Sequence, residues 1–243
     1  INLYAVLGTL ENLCEIVPEA SAMLTNTKPI SIGFEVKDGP SATITFKNGR
    51  CRMEQGVNKC DVKLPFSSCE KFNGLIDGTV TPIPSKGFQH IKFLLKTFTP
   101  LTDLLAKYMR PSPEDLEDRT FFEQSTTLML YTIAVAISQI ANNDKIGQFS
   151  ASHIVDGEIG FGIKDGPAVT IRAKNGRLVT IKKRCENPRA EMEFASMDLA
   201  RDLFDGKINA VACIGMGAIT MKGMISMIDN MNRLLDRVAL YLA

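Results

Sequence analysis

Two histidines, six cysteines and one basic run are the side chains of this 243-residue sequence from which chemistry could be built. His153 is followed by Asp156, but no serine or cysteine stands in a nucleophile motif with them, and the histidine reads as structural. His90 reads the same way. The cysteines at 14, 51, 60, 69, 185 and 213 form no C-x-x-C pair, so no zinc or other metal site is expected. Gly215, Gly217 and Gly223 lack the lysine of a phosphate loop and no dinucleotide fingerprint occurs, so no cofactor is expected either. These readings argue against an enzyme. The basic run Lys182-Lys183-Arg184, with Arg189 nearby, is a weak head-group candidate: a charge near an anionic surface is worth roughly 1 kcal/mol. Glu186 lies within the run, and exposed charge needs no special purpose.

A second concentration is apolar. Met192, Met197, Met216, Met221, Met224, Met227 and Met231 crowd into forty residues, and flexible thioethers can remould around different apolar guests. Any one of them alone is an ordinary core filler; only the cluster suggests a ligand.

Composition narrows the classes. The chain is 45% hydrophobic and 23% charged, as in a packed globular protein, and its net charge of +1 creates no field to gather nucleic acid. The longest uncharged stretch, Gln124 to Asn143, has an apolar centre only from Leu128 to Ile137, too short to cross a bilayer. It reads as a buried helix. No secretory leader is visible from Ile1 onward, and cysteines without a framework suit a reducing, cytoplasmic setting with free thiols.

The elements that must position these residues come in duplicate. Ile32 to Arg50 (IGFEVKDGPSATITFKNGR) and Ile159 to Arg177 (IGFGIKDGPAVTIRAKNGR) agree at 13 of 19 positions at a shift of 127, where residue frequencies give roughly one. Leu3, Tyr4, Val6, Leu10 and Leu13 face Leu130, Tyr131, Ile133, Ile137 and Ile140 at the same shift, with helical spacing in both. The register resumes one residue later, with Phe66, Ser68, Leu75, Asp77 and Gly78 against Phe194, Ser196, Leu203, Asp205 and Gly206. It closes with Asp103 and Tyr108 against Asp236 and Tyr241. The sequence therefore reads as two copies, 1–110 and 119–243, joined by a linker and helix start at 111–118.

Each copy opens on an amphipathic helix and continues into strands whose turns, Asp38-Gly39, Asn48-Gly49, Asp165-Gly166 and Asn175-Gly176, supply left-handed residues. In the second copy strands are expected near 158–163, 168–173, 177–183 and 190–195, with Val169, Ile171 and Ala173 facing the core. A short helix capped by Ser196 ends at Gly206, a second covers 208–215, a fifth strand lies within Gly217–Gly223 and a final apolar helix runs over 224–242. The first copy has Thr81-Pro82-Ile83-Pro84-Ser85-Lys86-Gly87 where the fifth strand would be, and two prolines cannot serve an inner ladder. Thr99-Pro100 predicts that its closing helix restarts there rather than running on from Phe88.

The second copy resembles the sterol carrier protein type 2 family over about 85 residues. The likeness rests on the three strands around Lys174-Asn175-Gly176-Arg177, on Glu191-Met192-Glu193-Phe194 leading into the 197–206 helix, and on Gly217-Ala218-Ile219-Thr220-Met221-Lys222-Gly223 before a closing helix. The resemblance implies an α+β fold: two tandem copies of a helix-covered, antiparallel-rich five-stranded sheet, the first without a clear fifth strand. It also implies non-enzymatic carriage of a fatty acid, acyl-coenzyme A or sterol-like lipid in an apolar tunnel of the second copy. That tunnel would be lined by Phe194, Leu199, Leu203, Phe204 and Ile208 from the sheet end and short helix. Val211, Ile214, Met216, Ile219 and Met221 would follow from the next helix and strand, and Met224, Ile228, Met231 and Leu235 from the last helix. Lys182, Lys183 and Arg184 would meet a head group or make transient contact with a membrane surface. The alternative is an interaction or structural module built on the pseudo-symmetric pair, with no physiological small ligand. A homo-oligomer is compatible with either reading, and no nucleic-acid partner is expected.

Overall fold

The computed structural model describes residues 1–57 and 59–242. They divide into two units, Asn2–Leu116 and residues 117–242, each with its own sheet and helices. No helix among the described residues is long and apolar enough to cross a membrane.

In the first unit, strands β1 (Ile30–Val36), β2 (Ser41–Lys47), β3 (Arg50–Gln55) and β4 (Val62–Phe66) form a sheet in the order β3-β2-β1-β4. In the second, β5 (Gly157–Ile163), β6 (Ala168–Lys174), β7 (Arg177–Ile181), β8 (Ala190–Phe194) and β9 (Ile219–Gly223) follow the order β7-β6-β5-β8-β9. The first three strands of each unit are an antiparallel meander. The fourth then crosses back to lie parallel to the first, Ile32 beside Val62 and Ile159 beside Ala190. Both sheets are therefore mixed.

The turns obey local chemistry with one difference from expectation. Asn48 and Gly49 both take positive φ, as do Asn175 and Gly176, which is the pair a tight hairpin matching strand twist requires. In the Asp-Gly turns only Asp38 and Asp165 are left-handed. Gly39 is instead demanded by space: a Cβ there would stand 2.9 Å from a Val36 methyl.

Alternation along the strands gives each sheet one buried face. Ile159, Phe161 and Ile163, Val169, Ile171 and Ala173, and Met192 and Phe194 point inward, as do Ile32, Phe34, Ala42, Ile44, Phe46, Leu64 and Phe66 in the first unit. The 25-residue helix Arg119–Asn143 covers the second sheet at β6 and β7, and the last helix, Ile225–Leu242, packs on it and on β8. Asp118 caps the long helix by accepting from the Thr120 and Phe121 amides. Side chains of each opening helix also grip the outer strand. Asn142 both donates to the Leu178 carbonyl and accepts from its amide, while Glu11 accepts from the Met53 amide.

The first unit's closing helix departs from expectation. A single helical run extends from Phe88 to Met109, in which Leu94–Phe98 takes the wider π register before Thr99–Met109 resumes the α form. Widening the turn removes the demand for an amide at Pro100 and relieves its ring against the preceding turn, so the helix does not restart there. The Thr81–Gly87 stretch makes one antiparallel bridge to β4, Lys63 with Lys86, and no fifth strand forms among the described residues of this unit.

Candidate functional site

The sheet end at β8 and β9, the helix Met197–Phe204, the helix Ala210–Gly215 and the start of the last helix meet in the second unit. Ser196 accepts from the Leu199 amide and fixes the start of the first of these helices. Asn209 does the same for the second through Ala212. Gly223, at φ +88°, turns the chain from β9 into the last helix; a Cβ there would lie 2.2 Å from the Arg189 carbonyl oxygen. Only glycine fits.

The fourteen residues expected to line a ligand site differ in burial. Phe194, Ile219, Ile228 and Met231 are buried. Leu199, Leu203, Phe204, Ile208, Met221, Met224 and Leu235 are half-buried. Val211, Ile214 and Met216 are exposed, so these three stand at the surface instead of being enclosed. The reason is local: in Ala210–Gly215 only Cys213 turns inward, and the rest of that short uncharged helix has nothing over it. Ile225 adds an exposed apolar group beside the turn into the last helix.

One charged group lies deep beside this apolar region, and the sequence reading missed it. The Arg201 guanidinium is 4% exposed and pairs with both oxygens of Asp205, at 2.8 and 3.1 Å, while a third nitrogen donates to Ser125 Oγ at 2.9 Å. The i,i+4 spacing of Arg201 and Asp205 is the sequence signal that could have found it. A cation this deep persists only when so paired. At the far end of the last helix, Asp144 caps the Lys145–Ser152 helix through Gly147 and also accepts from Arg237 and Tyr241, each at 2.8 Å. Burial pushes the Asp144 carboxyl up, but those donors outweigh it and hold the group below the usual carboxylate range.

The interiors of the two units differ in kind. The first is filled by rings: Phe34 meets Phe72 and Phe98, Phe46 meets Phe93 and Phe98, and Phe66 meets Phe72, with centroids 5.1–6.4 Å apart. At the shifts that align the two halves, Phe46 corresponds to Ala173, Phe72 to Ala200 and Phe98 to Met231. The second unit keeps Phe161 and Phe194 and gains Phe204, stacked edge-on at 5.5 and 5.7 Å. Its other large buried apolar side chains are aliphatic or thioether, beside buried hydroxyls such as Ser125 and Thr132 and the paired Arg201.

The opposite face of the second sheet is polar. Loop residues 182–189 cross it, and the basic run makes local contacts. Arg184 bonds Glu193 and the carbonyls of Ile163 and Gly166, Lys183 pairs with Glu186, and Lys182 lies 5.8 Å from the Tyr131 ring centre. Arg184 thus fastens the loop, while Lys182 and Lys183 remain exposed at the surface. A pocket of about 10 Å³ under this loop, bordered by Gly160, Gly162, Arg184, Cys185 and Glu191, has room for about one water. Glu158 beside it is held below the usual carboxylate range by Arg172 and by the Cys185 thiol. His153 Nδ1 lies 2.8 Å from the Phe149 carbonyl oxygen and 3.3 Å from Ser152 Oγ, while Asp156 accepts from the Asn175 amide instead of facing the histidine. Among the described residues no cluster of three metal-ligating side chains occurs, and all six cysteines are free.

No protein-family model and no curated protein matches the chain. Solved structures of sterol carrier protein 2 domains are similar to slightly under half of it. The sterol carrier protein domain 2 of Helicoverpa armigera is 20% identical over 46% of this chain and 88% of its own, with a TM-score of 0.37. Sterol carrier protein 2 from Yarrowia lipolytica, in its apo form, is 18% identical over 45% and 91%, with a TM-score of 0.33. Palmitated SCP2L2 from Aedes aegypti is 14% identical over 44% and 90%, with a TM-score of 0.31.

Proposed function

We propose that the second unit binds and carries a hydrophobic small molecule, of the fatty-acid, acyl-coenzyme A or sterol-like class, between its sheet and helices, without catalysing a reaction on it. One observation carries this reading. Where the first unit packs Phe46, Phe72 and Phe98, the second has Ala173, Ala200 and Met231, beneath a rim of half-buried and exposed apolar side chains. Such a rim is costly to leave in water unless something covers it part of the time. In this reading Phe194, Ile219, Ile228 and Met231 form the floor, and the ligand parts the Leu203, Phe204, Met221 and Met224 wall. Val211, Ile214 and Met216 guide it inward. Burial of a 16-carbon tail supplies roughly 12 kcal/mol gross at about 0.8 kcal/mol per methylene, enough to offset ordering of the tail and displacement of the wall. No polar clamp is needed.

Purified chain, extracted and examined by mass spectrometry, is expected to release a co-purifying lipid, and to bind a fluorescent fatty acid displaceable by palmitate. Ala200→Phe, which gives the second unit the ring of the first, should abolish that binding. A lipid-free extract together with no fluorescent binding by the unaltered chain defeats the proposal and leaves the interaction-module reading.

A further inference from the structure

Between Asp77 and Asp103 the first unit carries no carboxylate; its charged or titratable side chains there are Lys86, His90, Lys92 and Lys96. On the same stretch Ile83, Phe88, Ile91 and Leu95 are 74, 59, 45 and 62% exposed. Phe88, Ile91 and Leu95 follow the i, i+3, i+7 spacing that sets side chains along one side of a helix, and Lys92 and Lys96 are each one residue past an apolar member of the stripe. Leu94 and Phe98 turn inward, and Phe93 reaches the Phe46 ring at 5.5 Å. The run is thus anchored to the core on one side and presents a second apolar stripe, edged with positive charge, on the other.

An ordinary surface helix shows solvent a face of mixed charge. This one shows rings and aliphatic groups with lysines whose long stems can lie along apolar surface while the ammonium stays in water. That combination matches the boundary of an anionic bilayer, where apolar groups sink to the acyl level and lysines meet head groups. Lys86 is partly engaged, since its Nζ reaches the Cys60 carbonyl and it lies near Asp61, so Lys92 and Lys96 carry most of the attraction. We propose that the helical run from Phe88 through Leu95 is a docking surface for an anionic lipid membrane. This does not rest on the ligand site of the second unit. It is also independent of the Lys182–Arg184 run.

The test is co-sedimentation of the full chain with vesicles of phosphatidylcholine, with and without phosphatidylserine. Binding is expected only with phosphatidylserine present and should weaken with salt. Lys92→Gln/Lys96→Gln, a surface change that leaves the core untouched, should weaken it by about fivefold per lysine removed. Phe88→Ser/Leu95→Ser should remove it while the circular dichroism spectrum is unchanged. Failure of the unaltered chain to sediment with the serine-containing vesicles overturns the proposal and points to an acidic protein partner. Equal binding by the unaltered chain and the double-lysine variant overturns it as well. Fatty-acid displacement measured on the same variants should be unaffected, so this proposal and the ligand proposal fail separately.

Discussion

The two units share the order of their first four strands and one parallel pair, yet one closes its interior with phenylalanine rings and the other with alanine and methionine. Three ring positions account for the contrast. Phe46, Phe72 and Phe98 tie β2, the short helix and the closing helix of the first unit into one aromatic cluster, whereas Ala173, Ala200 and Met231 leave the second unit held by Phe161, Phe194 and Phe204 near one end. The same scaffold therefore supports a self-filled core or a core with an apolar rim, according to a few side-chain volumes.

A second contrast concerns the fifth strand, and it is decided on β4 and β8 themselves. Ala195 donates to the Ala218 carbonyl and Met224 to the Arg189 carbonyl, so the alternation of an antiparallel ladder turns the Glu193 amide toward Thr220. The corresponding residue in the first unit is Pro65, which has no amide to give. Lys63 donates to the Lys86 carbonyl and accepts from Ser85, beginning such a ladder, which then stops at the proline. A proline in β4 is tolerated because that strand is the sheet's edge.

The largest effect should come from breaking the aromatic core. Phe46→Ala is expected to destabilise the first unit by about 3–5 kcal/mol, read from denaturant unfolding of the full chain; a loss under about 1 kcal/mol would mean that the rings are not its filling. Next, Glu193→Pro should cost on the order of 3 kcal/mol and detach β9, seen as lost amide protection at Thr220, while Pro65→Glu in the first unit should change stability by less than about 1 kcal/mol. Equal effects of the two would remove the proposed reason for the missing strand.

The smallest expected effect distinguishes how the closing helices are fastened. Asp144→Ala removes a helix cap and the acceptor of Arg237 and Tyr241, and should cost about 1–2 kcal/mol. Its contribution depends on pH in a definite direction. Because the folded carboxyl is held below its unfolded value, the stabilisation is complete above the unfolded value of about 4 and is lost as pH falls toward the folded value. Unfolding midpoints of the variant should therefore fall less steeply than those of the unaltered chain as the pH drops below about 4.

Much of this was legible in the sequence because the signals are local. Asn48-Gly49 and Asn175-Gly176 specify hairpins by backbone chemistry alone, Ser196 and Gly206 bound a helix, and the Val169, Ile171 and Ala173 alternation assigns a face. The parallel pairing of β1 with β4 and β5 with β8 joins segments some thirty residues apart and has no local signature. The block to a fifth strand was visible at Pro82 and Pro84, but Pro65 matters equally, and its role depends on which strand it would have to donate to. Continuity of the helix through Pro100 needed a π turn that spacing does not announce. Of the candidate site, the apolar composition could be read along the chain, but the division into buried, half-buried and exposed side chains could not. The contacts of Lys182, Lys183 and Arg184 could not either, because both depend on which neighbours arrive in three dimensions.

The amide side chain of Asn142, bonded at once to the amide and carbonyl of Leu178, behaves as a one-residue imitation of a neighbouring strand. It occupies the place at which a foreign chain would begin to zip onto β7, and Glu11 blocks the Met53 amide of β3 in the same way. Sheet extension by a second molecule is thereby discouraged at these outer edges. Any sheet extension is left to the opposite edges, β4 and β9.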